Sequence, residues 1–287
     1  MQENAPSLNK EIEVMDGFSK FISAFNSAGG KLVEPKENSD SLKILFGANL
    51  IENSIDGEII YMHPIEANLS EQSKFIKYEA GSEEGVALLL LEAFLKDLDI
   101  DSLNSFIEDL DVGYLSAESS LSEEELEEIV ALVKRADEAV IIVADDIYTH
   151  EAVVNIALAL ATLTKYSNLK VAALKPKFPV SKATSNSLEA ELSEPEELPS
   201  YDGVVVYNVK GDNLDALLGS KQFAVAAKVK DGEVVNFKIG DIEFEKSFKL
   251  DDTLKGTIAV NRVSNLDILS SYRFKRIKIN KVGSKNG

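Results

Sequence analysis

The sequence contains no cysteine and only two histidines, His63 and His150. Without cysteine the protein forms no disulfide, and it offers no thiolate ligand to an iron–sulfur cluster or to a cysteine-type zinc site. Two imidazoles also exclude a multi-histidine metal site within one chain. A site for magnesium or calcium made of carboxylates stays open, but no loop with suitably spaced acids is present.

Long hydrophobic runs are missing as well. The longest, Val86–Leu91 and Ala152–Leu163, fall short of the roughly 20 apolar residues that span a bilayer. The N-terminus has neither the basic stretch nor the apolar core of a secretory signal. We therefore expect a cytoplasmic protein without direct membrane insertion. Its 287 residues, 45% of them hydrophobic and 28% charged, are enough to bury a substantial core.

Acids outnumber bases by 49 to 30, and the formal charge of −19 argues against nucleic acid as a partner. The C-terminus reverses this balance, because no acid follows Asp267. The bases beyond that point are Arg273, Lys275, Arg276, Lys278, Lys281 and Lys285. One interpretation is a solvated edge strand with a charged tail. The other is docking onto an acidic partner, for which the first five of these residues are the candidates.

Hydrophobic periodicity in the first part predicts alternating helices and strands. An apolar stripe from Ile12 to Phe25 predicts a helix that ends at Gly29-Gly30, and Lys31–Asp40 is predicted to be loop. Three strands are then predicted, followed by a buried leucine-rich helix capped by Ser82 and an acidic helix near Ser102–Leu110. The strands are Leu42–Phe46, Glu58–Met62 and Lys74–Tyr78.

The segment 122–174 has the pattern of a βαβ unit. Ser122 and Glu125 form a capping box, followed by a helix whose acidic run Glu123–Glu128 is a solvated face. The apolar run Ala139–Ala144 is typical of a central parallel strand. Thr149 is predicted to cap a helix that leads to the next strand, Leu169–Leu174. A right-handed crossover and a parallel sheet are therefore expected.

The remaining sequence predicts a smaller β-rich region. Residues 176–200 contain four prolines in a Ser- and Glu-rich stretch, which indicates a linker or long loop. A strand at Val204–Tyr207 and a helix at Leu214–Leu218 follow. Five further strands are predicted at Phe223–Val229, Val234–Ile239, Ile242–Phe248, Gly256–Val260 and Arg273–Val282.

The predicted fold class is thus α/β. Residues 1–175 form a Rossmann-like parallel sheet with flanking helices, residues 176–200 a linker, and residues 201–287 a strand and helix followed by the β-rich C-terminal region.

Motifs for catalysis are scarce. No Gly-x-Gly-x-x-Gly, Walker-type or Gly-x-Ser-x-Gly sequence occurs. Asp145 and Asp146 follow a strand at the position where open α/β sheets bind ligands, and His150 comes shortly after. They are candidates for a magnesium or ribose contact and a general base. The plainer interpretation is two acids favoured by a helix dipole and a capping histidine.

Several short segments resemble the molybdopterin-oxidoreductase-like region of the large iron–sulfur subunit of bacterial NADH-quinone oxidoreductase. Gly47-Ala48-Asn49 is similar to that family's Gly-x-Asn element after a strand. Tyr61–Ile65, Tyr78–Glu83, and Ala139–Ala144 with Thr149-His150 are similar to later strand ends and helix starts. Gln222–Ala226 and Leu254–Ala259 are similar to the end of that subunit.

The resemblance implies the family's scaffold without its electron carriers. The family's cysteine-rich ferredoxin-like domains have no counterpart here, and Gly47 and Gly81 alone would make a poor pterin cradle. It therefore implies a non-catalytic accessory subunit of the peripheral arm of an NADH:quinone oxidoreductase. Such a subunit holds no cofactor, contacts other subunits, and lies on the cytoplasmic side of the inner membrane through them. The alternative is a small nucleotide- or flavin-dependent oxidoreductase with a site near Asp145, Asp146 and His150.

Overall fold

The computed structural model describes residues 16–34, 41–178, 180, 190–212 and 214–281. Its first part, the α/β unit, is built round a six-stranded sheet whose strands all run parallel. In chain order these are β1 (Leu32–Val33), β2 (Leu42–Phe46), β3 (Ile59–Met62), β4 (Lys74–Ile76), β5 (Ala139–Val143) and β6 (Lys170–Ala173). Their order across the sheet is β1-β6-β5-β2-β3-β4. The predicted α/β class and parallel sheet are confirmed.

Helices pack on one face of this sheet. They are α1 (Gly17–Ser27), α2 (Glu83–Leu95), α3 (Asn104–Asp109), α4 (Val112–Ser119), α5 (Glu123–Arg135), α6 (Asp145–Tyr148) and α7 (Val153–Tyr166). Both α1 and α2 contact α7, and α2 also contacts α4 and α5. Because α2 is enclosed in this way, every residue of its run Val86–Leu91 is buried.

Three capping residues were predicted, and the capping hydrogen bond of one of them, Ser122, is confirmed. The helix after Ser82 begins at Glu83 as predicted, although without a side-chain cap. Ser122 Oγ accepts the N–H of Glu125 at 3.3 Å, while the Glu125 carboxylate accepts the N–H of Ser122 at 3.0 Å. Ser82 and Thr149 do not cap, because their hydroxyls donate instead to the carbonyls of Glu79 and Asp145. Such local bonds compete with capping. The helix expected after Thr149 begins only at Val153.

The second part, the β-rich unit, contains a mixed seven-stranded sheet of order β12-β7-β11-β8-β10-β9-β13. The strands are β7 (Val205–Lys210), β8 (Ala216–Gly219), β9 (Val234–Ile239), β10 (Ile242–Leu250), β11 (Ile258–Val263), β12 (Phe274–Arg276) and β13 (Asn280–Lys281). The strands β12 and β13 lie at opposite edges although only residues 277–279 separate them. Four residue steps span at most about 14 Å, so the sheet must curl until its edges approach.

Three elements of the β-rich unit differ from the prediction. The expected strand Arg273–Val282 is two short strands, β12 and β13, at opposite edges of the sheet. The expected helix Leu214–Leu218 is strand β8, and the expected strand Phe223–Val229 is helix α8 (Lys221–Ala227). A short apolar run does not distinguish strand from helix. Here Ser220 decides, since its hydroxyl accepts the N–H of Phe223 and caps the helix. A second short helix, α9 (Leu266–Leu269), was not predicted.

Of the two segments predicted as loop, the first contains a short strand, whereas the described residues of the second contain neither helix nor strand. In Lys31–Asp40, residues 32–33 form β1, and residues 35–40 lie outside the described part. In the predicted linker, residues 176–178, 180 and 190–200 form neither helix nor strand. Its end lies against the α/β unit, because the buried Leu198 donates its N–H to the Tyr114 hydroxyl at 2.8 Å. Within the described ranges, no helix combines the length and apolar character needed to cross a membrane.

The capping box gives a first test of this fold. Replacing Ser122 by Ala removes the side-chain acceptor for the Glu125 N–H, so we expect a loss of about 1 kcal/mol in the free energy of unfolding. Urea unfolding measures it. Ser54→Ala, at an exposed loop position, is the control and should change stability by less than about 0.5 kcal/mol. Equal stability of the two variants would contradict the assignment.

Candidate functional site

The crevice of an open parallel sheet lies where the strand order reverses, at the carboxyl ends of the strands. In this sheet the chain runs from β2 to β3 and β4 on one side, then returns to β5 on the other. The switch point therefore lies between β2 and β5. Gly47 follows the first of these strands and Asp145-Asp146 the second. The N–H of Asp146 donates to the Gly47 carbonyl at 3.3 Å, which joins the two loops.

Protein atoms fill the space next to the two glycines of this edge. Gly47 has a φ of +61°, and a Cβ there would lie 2.6 Å from Ile147 Cγ1. Gly81 has a φ of +91°, and a Cβ would lie 2.7 Å from the Pro199 carbonyl and from the Tyr201 ring. Both glycines thus permit close packing of the chain on itself. The residues present do not fit a pterin, because the cradle is occupied by neighbouring side chains and backbone.

Arg273, next to β12 of the β-rich unit, enters this edge of the parallel sheet. Its side chain is fully buried, and Nη2 lies 3.1 Å from Asp145 Oδ2. Nη1 lies 3.6 Å from Glu52 Oε2 and donates to the Asn208 carbonyl at 2.9 Å. The Nη2 contact is Coulombic rather than an aligned hydrogen bond. One cation of the β-rich unit thus faces two carboxylates of the α/β unit.

A second contact across the units centres on Asp146. Tyr207, in β7, donates its hydroxyl to both Asp146 oxygens at 2.9 and 3.0 Å. His63 Nε2 lies 3.0 Å from Asp146 Oδ2. Because His63 Nδ1 accepts the N–H of Ile65 at 2.9 Å, the ring proton belongs on Nε2, where it is donated to the carboxylate. The Asp146 carboxylate is therefore engaged from both sides.

A third contact centres on Glu83, the first residue of α2. The Tyr272 hydroxyl accepts the Gly81 N–H and donates to the Glu83 carboxylate, whose oxygens lie at 2.8 and 2.9 Å. His150 Nε2 lies 3.4 Å from Glu83 and donates to the Gly81 carbonyl at 3.1 Å, while Nδ1 accepts the Ala152 N–H. Burial lowers the pKa of His150, so this histidine is neutral at pH 7.

Carboxyls outnumber cations in this buried network, which we call the interface network. Its acids are Glu52, Glu83, Asp145 and Asp146, against the guanidinium of Arg273. Burial raises the pKa of Glu83 to about 8 and that of Asp145 to about 6, although Arg273 opposes the second shift. Retained protons thus offset part of the excess negative charge.

The residues proposed from sequence fall into two groups. Asp145, Asp146 and His150 are brought to one edge of the sheet, but each is at least nine-tenths buried and bonded within the chain. Of the C-terminal bases, Arg276 and Lys278 are exposed and Lys275 is half-buried. Arg273 is enclosed and has no surface to offer a partner. The side chain of Lys281 lies outside the described residues. Docking by the exposed bases stays a prediction.

Sequence reasoning missed Glu83, Tyr207 and Tyr272 as members of this network. Glu83 stands at the start of the leucine-rich helix that the sequence predicts to be buried, and an acid at a buried helix start was the available signal. Arg273 stands between Tyr272 and Phe274, two large apolar rings. That neighbourhood is unusual for a solvated arginine and was a second signal.

Comparisons with known proteins leave the family open: no family model matches the chain, and no curated protein matches it. Across the described residues, no group of three or more His, Cys, Asp or Glu side chains is arranged to hold a metal ion.

The raised pKa of Glu83 predicts a pH dependence of stability. The folded state keeps this proton up to about pH 8, whereas an unfolded chain releases it near its usual 4.5. Between these pH values the folded state binds more protons than the unfolded chain. The contribution of Glu83 to the free energy of unfolding therefore falls as the pH rises from 4.5 to about 8. We expect the free energy of unfolding of Glu83→Gln to increase relative to that of the parent chain by at least about 1 kcal/mol between about pH 6.5 and pH 8. Each pH unit can contribute at most about 1.4 kcal/mol to this difference.

Urea unfolding at a series of pH values measures this difference. The exposed Glu79→Gln is the matched control, because it makes the same chemical change at the surface four residues before Glu83. His150 contributes with the opposite sign below pH 6.5, and it lies 3.4 Å from Glu83, so the comparison is made between pH 6.5 and 8, where this histidine is mostly neutral in both the folded and the unfolded chain. A pH-independent difference for Glu83→Gln would contradict the raised pKa.

Arg273 gives the second test of the network. Arg273→Met leaves Asp145 and Glu52 buried without their cation, and breaking a buried pair in this way costs about 3–5 kcal/mol. Arg276→Met, three residues away on an exposed side chain, should cost less than about 0.5 kcal/mol. Chemical denaturation at pH 7 compares the two. Similar losses in both variants would show that Arg273 does not hold the units together.

Proposed function

We propose that this protein is a non-catalytic scaffold subunit of the peripheral arm of an NADH:quinone oxidoreductase. The observation that supports a scaffold is the burial of Arg273 between Asp145 and Glu52, because it places a side chain of the protein where an open α/β sheet would take a ligand. The resemblance to the large iron–sulfur subunit of that enzyme is the reason for choosing this complex. The subunit would carry no cofactor and reach the inner membrane only through partner subunits.

The same observation weighs against the rival function, a nucleotide- or flavin-dependent oxidoreductase. Asp146 accepts bonds from Tyr207 and His63, and Asp145 accepts the Lys177 N–H at 2.9 Å besides facing Arg273. A ribose or magnesium ion would have to break these contacts and expose a buried guanidinium. Breaking such a pair costs several kcal/mol, which binding of the nucleotide would first have to supply.

Isolation of the native complex tests the proposal. The protein is tagged at its chromosomal locus, and membranes are solubilised in a mild detergent and passed over the affinity resin. We expect iron–sulfur subunits and quinone reductase activity to elute with the tagged protein in a fixed ratio. Untagged cells processed in the same way are the control. Elution of the tagged protein without any oxidoreductase subunit would refute the proposal.

Thermal denaturation of the isolated protein separates the scaffold from the rival enzyme. FMN, NAD or a nucleotide present at 100 times its Kd would add about 2.7 kcal/mol to the stability of a protein that binds it. We expect no shift with any of them. A shift that disappears in Asp146→Asn, or an isolated protein with stoichiometric bound flavin, would establish the rival function.

A further inference from the structure

A groove of about 360 Å³ lies on the surface of the α/β unit, where α2, α4 and α5 meet. Both α4 and α5 pack on α2, and they leave the groove between them. On α5 its lining residues recur at intervals of three or four, so they form one stripe along the helix. The stripe consists of Glu123, Leu126, Glu127, Val130, Ala131 and Lys134. It is about 16 Å long at 1.5 Å per residue.

The floor of this groove is apolar. Leu126 lies at its base with only 3% of its surface exposed, and Ala93 of α2 and Val112 of α4 line the facing walls. Val130 is half-buried and Ala131 is exposed, and neither belongs to the hydrophobic core of the unit. Apolar area in the groove is thus left for a further element to cover. A straight channel between helices suits another helix, whose side-chain ridges fit between those of its neighbours.

The rim of the groove is acidic, and so is the surrounding surface. Glu92, Asp97, Glu123 and Glu127 share the rim with Lys96 and Lys134. Lys96 lies 3.6 Å from the Glu92 carboxylate and 4.0 Å from that of Glu123, so one cation is shared between two acids. Residues 92–138 contain 15 acids and three bases, so this segment carries most of the net charge of −19. The last turn of α2 also ends at the groove, and the partial negative charge of a helix C-terminus favours cations.

We propose that this groove docks a cationic amphipathic helix of a partner protein. Its apolar side chains cover Leu126, Val130 and Ala131, and its lysines and arginines face the carboxylates of the rim. Helix-in-groove recognition combines these two contributions in the same way. The inference does not depend on the oxidoreductase complex proposed above, because it rests on the shape and charge of the groove alone.

A model peptide tests the groove directly. The probe is a fluorescein-labelled amphipathic helix of two heptads, LKKLLKLLKKLLKL, titrated with the full protein and followed by fluorescence anisotropy. At a salt concentration of about 0.15 M, where attraction between separated surface charges is largely screened, we expect saturable binding at one site. A peptide with the same composition but scrambled order, which presents no apolar face, should bind at least about tenfold more weakly, a difference of 1.4 kcal/mol.

The decisive variant is Val130→Glu, which adds negative charge while making the floor polar. Docking in the groove predicts binding about tenfold weaker or worse, whereas attraction by net charge alone predicts binding as tight or tighter. Val225→Glu is the matched control, since Val225 is 78% exposed on α8 and lies outside the groove. It should change the Kd by less than about twofold, within roughly 0.4 kcal/mol.

Two further measurements test whether the variants fold and whether the carboxylates of the rim contribute to binding separately from the apolar floor. Ala131→Glu, at an exposed position, repeats the floor test, and circular dichroism melting checks that each variant stays folded. The double variant Glu123→Gln and Glu127→Gln should weaken binding and make it less dependent on salt. Unchanged or tighter binding by folded Val130→Glu and Ala131→Glu, or equal binding of the scrambled peptide, would overturn the proposal.

Discussion

The ion pair between Arg273 and Asp145 fixes how the two units of this protein meet. Arg273 is among the largest fully buried side chains, and the two carboxylates that it faces, those of Asp145 and Glu52, belong to the α/β unit. Separating the units would leave those charges to be rehydrated, while removing either partner leaves the other uncompensated at a cost of about 3–5 kcal/mol. The same pair closes the switch-point crevice. The orientation of the units and the enclosure of Asp145 at the switch point therefore have one physical cause.

Around this pair, each buried carboxylate is held by one particular partner from the other unit. Tyr207 bonds Asp146, and Tyr272 bonds Glu83, so the contacts determine the register of the interface more than they add to its stability. Apolar packing of Phe274 and its neighbours supplies the non-directional part of the attraction between the units. Burial of Glu83 at this interface raises its pKa to about 8, and the nearby Asp146 carboxylate adds to the shift, which links the geometry of the interface to the pH dependence of stability.

Local patterns predicted the parallel sheet well and the β-rich unit less well. The run Ala139–Ala144 indicated a central strand because a parallel strand covered on both sides is apolar throughout, and β5 lies there. In the β-rich unit, short runs such as Phe223–Val229 had no clear period, and the Ser220 cap decided for helix. The interface network was missed for a different reason. Glu83 and its partner Tyr272 are 189 residues apart, and a local pattern can indicate that a charged residue is buried but not which distant residue it pairs with.

Burial at the crevice leaves the accessible charged groups on the outer surface. With Asp145, Asp146 and His150 enclosed, these are the acidic helices and the exposed C-terminal bases. Charge alone gives weak and screened attraction, so a specific partner needs an apolar complement as well. The groove along α5 combines both, since Val130 and Ala131 lie within an acidic rim.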